Sequence, residues 1–181
     1  MVGTRTAQPP RPMVIVLSGA SSSGKSSLAR ALQDQLAEPA VLVEADRAFP
    51  VVPRSHERWT TDHAAGDVVV AFHRSVAAWP ECGFHVIVDG SLPYEDRALR
   101  DVCLAVFEPY DLRVVGVTCA VEVLNEREVQ RPDERPTGWA AQQARDIHDG
   151  MAYAAQVDTS TASPQECAAQ VIAQLARATH P

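Results

Sequence analysis

One stretch near the start of the chain, VIVLSGASSSGKSSLA over residues 14–29, restricts most severely what the chain can fold into. An apolar, β-branched run gives way to small residues, then to a lysine and hydroxyls, then to a helical pattern. Gly19, Gly24, Lys25 and Ser26 fill every fixed position of the template G-x-x-x-x-G-K-[ST]. Small residues let the backbone curl so that successive N–H groups of Gly19, Ala20, Ser21, Ser22, Ser23, Gly24, Lys25, Ser26 and Ser27 form an anion nest. The following helix adds its positive N-terminal end. On this reading Lys25 reaches the β- and γ-phosphates of ATP or GTP, and the Ser26 hydroxyl ligates Mg²⁺. An ordinary Gly/Ser turn would explain the small residues, but not the full spacing between a buried strand and a helix. The chain holds 16 Lys+Arg, and Lys25 is its single lysine. An arginine-biased composition has kept a compact point charge where a phosphate calls for one.

The remaining chain sets the frame. Its 181 residues suit one domain, read as residues 13–181 behind a polar, Pro-rich N-terminal tail over 1–12. The tail has no apolar segment of the signal-peptide kind, and no run approaches membrane-spanning length. A formal net charge of −7 without a basic run argues against nucleic acid and anionic membranes as partners. Cys82, Cys103, Cys119 and Cys167 lie far apart and read as small buried apolar residues in a reducing, cytoplasmic setting. A homo-oligomer is compatible with this composition.

Strands are expected at 40–44, 84–88, 112–118 and 156–158 besides the one before the loop. Helices are expected near 25–37, 64–79, 94–106, 120–131, 138–152 and 164–177. Strands alternating with helices imply βαβ units and a mostly parallel five-stranded sheet in a three-layer α/β/α sandwich. Ser163, Pro164 and Glu166 form a capping box for the last helix. In such folds ligands sit beyond the carboxyl ends of the strands, which gathers the loop, Asp46, Asp89 and Asp158-Thr159 at one edge.

Each of these ends carries a candidate role. Asp46, just past the second strand in VLVEADRAF, suits a general base on an acceptor hydroxyl, although a helix cap would also place an aspartate there. Glu44 is a weaker rival. Asp89 closes the apolar strand FHVIVDG in the manner of a metal-holding Walker-B carboxylate. Between two expected helices, REVQRPDERPTG over 127–138 places Arg131 and Arg135 on a small lid, where their charge would meet developing phosphate charge. Arg127 ranks behind them, since it can pair along its own helix. The connection over 50–63 holds Arg54, His56, Arg58, Trp59 and Asp62 and reads as an acceptor-binding loop. The six histidines lack metal-ligand spacing.

With these residues placed, the chain resembles the chloramphenicol phosphotransferase family, antibiotic-modifying kinases of the phosphate-loop class. The resemblance runs from about Met13 to Leu175. It is carried by LSGASSSGKSS, EADRAF, HVIVDG, VVGVTCAVEVLNEREVQR and DERPTGWAAQQARDIHDGMAYAAQVDTS. It implies a P-loop kinase-like fold, Asp46 as the base, Gly24, Lys25 and Ser26 on phosphates and Mg²⁺, and an arginine near 131–135 on phosphate. Gly90 stands where the family tends to have a second acid. The region 47–66 is richer in Arg, Pro and Trp than in the chloramphenicol enzyme, which points to another hydroxyl-bearing antibiotic as acceptor.

Two other functions compete with an antibiotic kinase of this kind. A housekeeping small-metabolite or nucleoside kinase would use the same loop. A nucleotide-dependent switch would hydrolyse without an acceptor, but the Asn-Lys-x-Asp guanine motif cannot exist in a chain whose single lysine is Lys25. The loop reading yields a direct prediction. Lys25→Ala should abolish productive triphosphate binding by removing the charge that faces the β- and γ-phosphates. Wild-type affinity of that variant in a calorimetric titration would exclude the loop as a phosphate site.

Overall fold

The computed structural model describes residues 11–48, 62–90, 92–130 and 138–178. Five strands build the frame: β1 (Met13–Ser18), β2 (Ala40–Glu44), β3 (His85–Asp89), β4 (Asp111–Thr118) and β5 (Ala155–Asp158). They form one sheet in the order β2-β3-β1-β4-β5, with every pairing parallel. Strand β1 therefore lies in the middle, and its four central residues, Val14 to Leu17, are at most 1% exposed. An unalternating apolar strand is what a sheet covered on both faces requires.

Alternation along β1 sends neighbouring side chains to two separate cores. Ile15 and Leu17 pack with Leu28 and Leu32 of α1 (Lys25–Gln35) and with Val171 and Leu175 of α7 (Pro164–Ala178). Val14 and Val16 face the other way, against Phe72 and Val76 of α3 (Asp62–Glu81) and against Phe107 beyond α4 (Arg97–Ala105). The sandwich is thus three-layered, as the strand–helix alternation implies.

Departures from the expected boundaries have local causes. Helix α4 starts at Arg97 rather than near 94, because the Asp96 side chain accepts from Leu99 N–H at 2.9 Å and caps it. The helix expected over 138–152 is shorter, α6 (Trp139–Asp146), and Gly150 follows it in a left-handed conformation at φ 66°. The remaining helices are the short α2 (Ala45–Ala48) and α5 (Val121–Val129). The capping box at α7 forms as read: Ser163 N–H and Glu166 Oε2 are 2.8 Å apart, and Glu166 N–H donates to Ser163 Oγ at 3.3 Å. Cys103 and Cys167 are buried, whereas Cys82 is exposed, contrary to its reading as a core residue; it lies just past α3, where the helix has turned out of the core.

One close approach positions the end of the sheet. The Tyr153 ring lies flat on Gly116 of β4, where a β-carbon would stand 2.9 Å from the ring carbons. The ring carries its hydroxyl to within 2.7 Å of His148 Nδ1 and 3.4 Å of Ser18 Oγ, at the last residue of β1. Gly116→Ala should force this ring away and lower stability by about 1–3 kcal/mol, the usual range for overpacking. Chemical denaturation measures it, and a midpoint equal to wild type would show the ring moves freely.

Candidate active site

The loop between β1 and α1 is shaped by steric necessity at both ends. A β-carbon on Gly19 would lie 2.3 Å from the Val117 carbonyl oxygen of β4, so only glycine lets the chain leave the sheet there. Ser22 and Gly24 take left-handed conformations, at φ 60° and 86°. Helix α1 has no side-chain cap and no acid in its first turn, so its positive end is left to an anion. Ser22 Oγ and Ser23 Oγ are buried without a hydrogen-bond partner, two donors with nothing yet to donate to. The Lys25 ammonium arches back to the Gly19 and Ala20 carbonyls at 2.8 and 2.7 Å. An uncapped helix start, two orphan hydroxyls and a lysine form a cradle that fits the phosphates of a nucleotide.

Two carboxylates stand beside it at neighbouring strand ends. Asp89, 7% exposed at the end of β3, accepts a hydrogen bond from the Ser26 hydroxyl. Burial pushes its pKa up, and Asp46 and Glu44 push the same way, while Ser26 and Lys25 pull it down. A buried carboxylate in that balance, paired with a hydroxyl, gains from a divalent cation, and the two oxygens fit Mg²⁺ as hard ligands. Asp46, exposed on α2, lines the same cleft as Asp89, Lys25 and Ser26, a space of about 450 Å³. Glu44 is engaged elsewhere: it pairs with Arg30 and, at 2.8 Å, with Arg47.

On the far side of the loop a second hollow of about 290 Å³ is bounded by Ser27, Leu28, Arg127, Thr159, Ala162 and Pro164. Here the structure gives Arg127 partners outside its own helix. Arg127 does not pair along its own helix; it donates to Thr159 O at 2.8 Å and Thr159 Oγ1 at 3.3 Å. The Thr159 hydroxyl in turn donates to Ser23 O at 2.6 Å, so the end of β5 grips the loop. Arg131 and Arg135 lie outside the described residues, as does most of the 50–63 connection.

Sequence reasoning missed two residues in this region. Glu128 of α5 accepts from Gly138 N–H at 2.7 Å and Ala140 N–H at 2.9 Å, and so caps α6 from outside. Gln143 of α6 accepts from Ser21 N–H at 2.8 Å across 122 positions of sequence. No local pattern marks either, because their partners are remote in the chain or lie in another helix. Among the described residues no cluster of three metal-ligating His, Cys, Asp or Glu occurs.

Known proteins resemble this chain in sequence and in fold. The family model described as "Chloramphenicol phosphotransferase-like protein" matches residues 12–176. The Mycobacterium tuberculosis protein named "Putative O-phosphotransferase Rv2636" is 31% identical over 186 aligned residues, covering 90% of this chain and 81% of the relative. Among solved structures, a gluconokinase from Sinorhizobium meliloti superposes with a TM-score of 0.67 at 24% identity, covering 93% of this chain and 94% of its own. The Mycobacterium tuberculosis APS kinase in complex with AMPPNP and APS gives 0.66 at 19% identity, covering 93% and 99%. Shikimate kinase from Acinetobacter baumannii gives 0.63 at 12%, covering 94% and 96%. These likenesses establish the P-loop kinase fold.

Asp89→Asn preserves the size of the side chain and removes its charge. The Mg²⁺ concentration needed for half-maximal nucleotide turnover should rise about tenfold or more. A metal titration that superimposes on wild type would assign Asp89 a structural role only.

Proposed function

The chain belongs to the chloramphenicol phosphotransferase-like family, and from that premise we propose that it is an antibiotic-modifying kinase. It transfers the γ-phosphoryl of ATP or GTP to a hydroxyl of a small-molecule antibiotic and thereby serves resistance or self-resistance. The observation that carries this reading is one cleft whose floor is the phosphate loop and whose rim holds Asp46, with the Ser26–Asp89 pair between them.

The chemistry follows from these positions. The loop amides and Lys25 hold the β- and γ-phosphates. Ser26 and Asp89 would hold Mg²⁺, which supplies neutralising charge to the phosphate oxygens when bound. The acceptor oxygen bonds to the γ-phosphorus as the bond to the bridging β–γ oxygen breaks, and the hydroxyl proton passes to Asp46. Arg131 and Arg135 are assigned to charge developing on the transferred group. Arg127 is added to them as the arginine that stands beside the loop.

A metabolite kinase would place the same machinery under another acceptor. Charge in the cleft bears on that choice. Among its described lining residues, Asp46, Asp89, Glu95 and Asp96 oppose the single cation Lys25. Phosphate would engage Lys25 and metal Asp89, so the described part of the wall that faces the acceptor is net negative. That wall suits a neutral or amine-bearing hydroxyl compound better than a carboxylate such as shikimate or gluconate.

Asp46→Asn tests the assignment. It should bind nucleotide normally yet lose on the order of a hundredfold or more in acceptor phosphorylation, the lower part of the general-base range. The measurement is kcat alongside nucleotide affinity, and a near-wild-type rate would remove Asp46 from the mechanism. Acceptors are scored by mass spectrometry for a phosphate adduct across chloramphenicol, amine-bearing antibiotics, shikimate and gluconate. An adduct on a sugar acid alone would move the chain to the metabolite kinases. Nucleotide hydrolysis with no adduct would favour a switch.

A further inference from the structure

Gln143 stands between the phosphate loop and the acceptor wall and bonds to both. Its Oε1 accepts from Ser21 N–H at 2.8 Å. A backbone N–H requires the oxygen of that amide, so the orientation of the group is fixed and its NH₂ is left to face the other way. There it faces the Tyr94 hydroxyl, on which it acts as a donor that opposes the rise in the phenol's pKa. The Tyr94 hydroxyl donates onward to Glu95 Oε1 at 2.9 Å. Loop amide, glutamine, phenol and carboxylate thus form one line in which every donor has one acceptor, and all four residues line the cleft.

The helix that carries Gln143 is anchored to the same loop by a second route. Glu128 holds the start of α6, and Arg127 beside it holds Thr159, whose hydroxyl grips Ser23 O. The backbone under Gln143 is therefore tied to the loop independently of its side chain, and the side chain is left to report on the loop. A phosphoryl oxygen carries formal charge and is a stronger partner for a backbone N–H than a neutral amide carbonyl. A terminal phosphate reaching the cleft side of the loop competes with Gln143 for Ser21 N–H, or polarises it, and in either case the line to Tyr94 changes.

We propose that Gln143 is a positioning residue that ties the acceptor wall to the phosphate loop, so that filling the loop with a triphosphate is felt at the Tyr94 hydroxyl. The inference rests on the reading of the loop as a triphosphate site and of the cleft as the acceptor site. Its consequence is reciprocal: whatever engages Tyr94 or Glu95 alters the affinity of the loop for triphosphate in the same sense. Placement of the acceptor wall to within an ångström of the transferable phosphate is what such a tie secures.

The test needs no knowledge of the acceptor. The chain has three tyrosines, and tyrosine isotopically labelled at Cζ gives one NMR signal for each, with Tyr94 assigned through Tyr94→Phe. Each protein is measured with AMP-PNP and Mg²⁺ at saturation established by calorimetry. In wild type the Tyr94 signal should shift with AMP-PNP and shift less with ADP, which lacks the terminal phosphate. In Gln143→Met, which conserves volume and removes both bonds, the shift should be lost. In Gln143→Glu an acceptor for Ser21 N–H remains but the donor to Tyr94 is gone, and the shift should also be lost. A Tyr94 signal that stays still in saturated wild type, or that moves equally in both variants, overturns the coupling while leaving nucleotide binding intact. Failure of wild type to bind AMP-PNP at all would instead overturn the triphosphate reading on which the coupling stands.

Discussion

The site depends on one crowded junction, where the carboxyl end of β1 leaves the middle of the sheet. There Gly19 passes so close to the Val117 carbonyl that no side chain fits. Because β1 is central and buried on both faces, its direction is fixed by two cores at once. The loop inherits that rigidity, and Gln143 already holds its Ser21 amide in place. Preorganised donors of this kind stabilise an anion without reorganising at the moment of binding.

Around that junction the polar groups are connected through a few hubs. Thr159 bonds the Ser23 carbonyl and receives Arg127. Glu128 fixes α6, and Gln143 on that helix returns to Ser21. Residue Thr159 after β5 and helix α5 therefore brace the loop from the sheet edge away from Asp46 and Asp89, while Gln143 of α6 reaches it from within the cleft those acids line. On that other side burial raises the Asp89 pKa, and Asp46 and Glu44 stay close enough to add to the rise.

The arrangement also separates two tasks. The hollow beside Arg127 and Pro164 and the cleft beside Asp46 and Tyr94 meet at Lys25 and Ser26, which line both. A triphosphate laid through the loop would join the hollows, with its terminal phosphate at their boundary. Direct transfer between two bound molecules needs this geometry.

The sequence by itself determined the sheet, its helices and the phosphate loop, because these follow from local periodicity and from a motif of fixed spacing. The strand bounds 40–44 matched outright, and Asp46 and Asp89 could be picked out because strand ends converge in any parallel sheet. Periodicity could not find where helices start and stop: Asp96 capping the start of α4 and the left-handed Gly150 after α6 both act through single side-chain or backbone choices. Nor could it place Arg127, which i,i+4 spacing assigns to its own helix but which β5 captures through Thr159. Glu128 and Gln143 act on partners that only folding brings near. The tertiary structure decided those roles, since a hydrogen bond across 122 residues leaves no periodic trace in the chain that makes it.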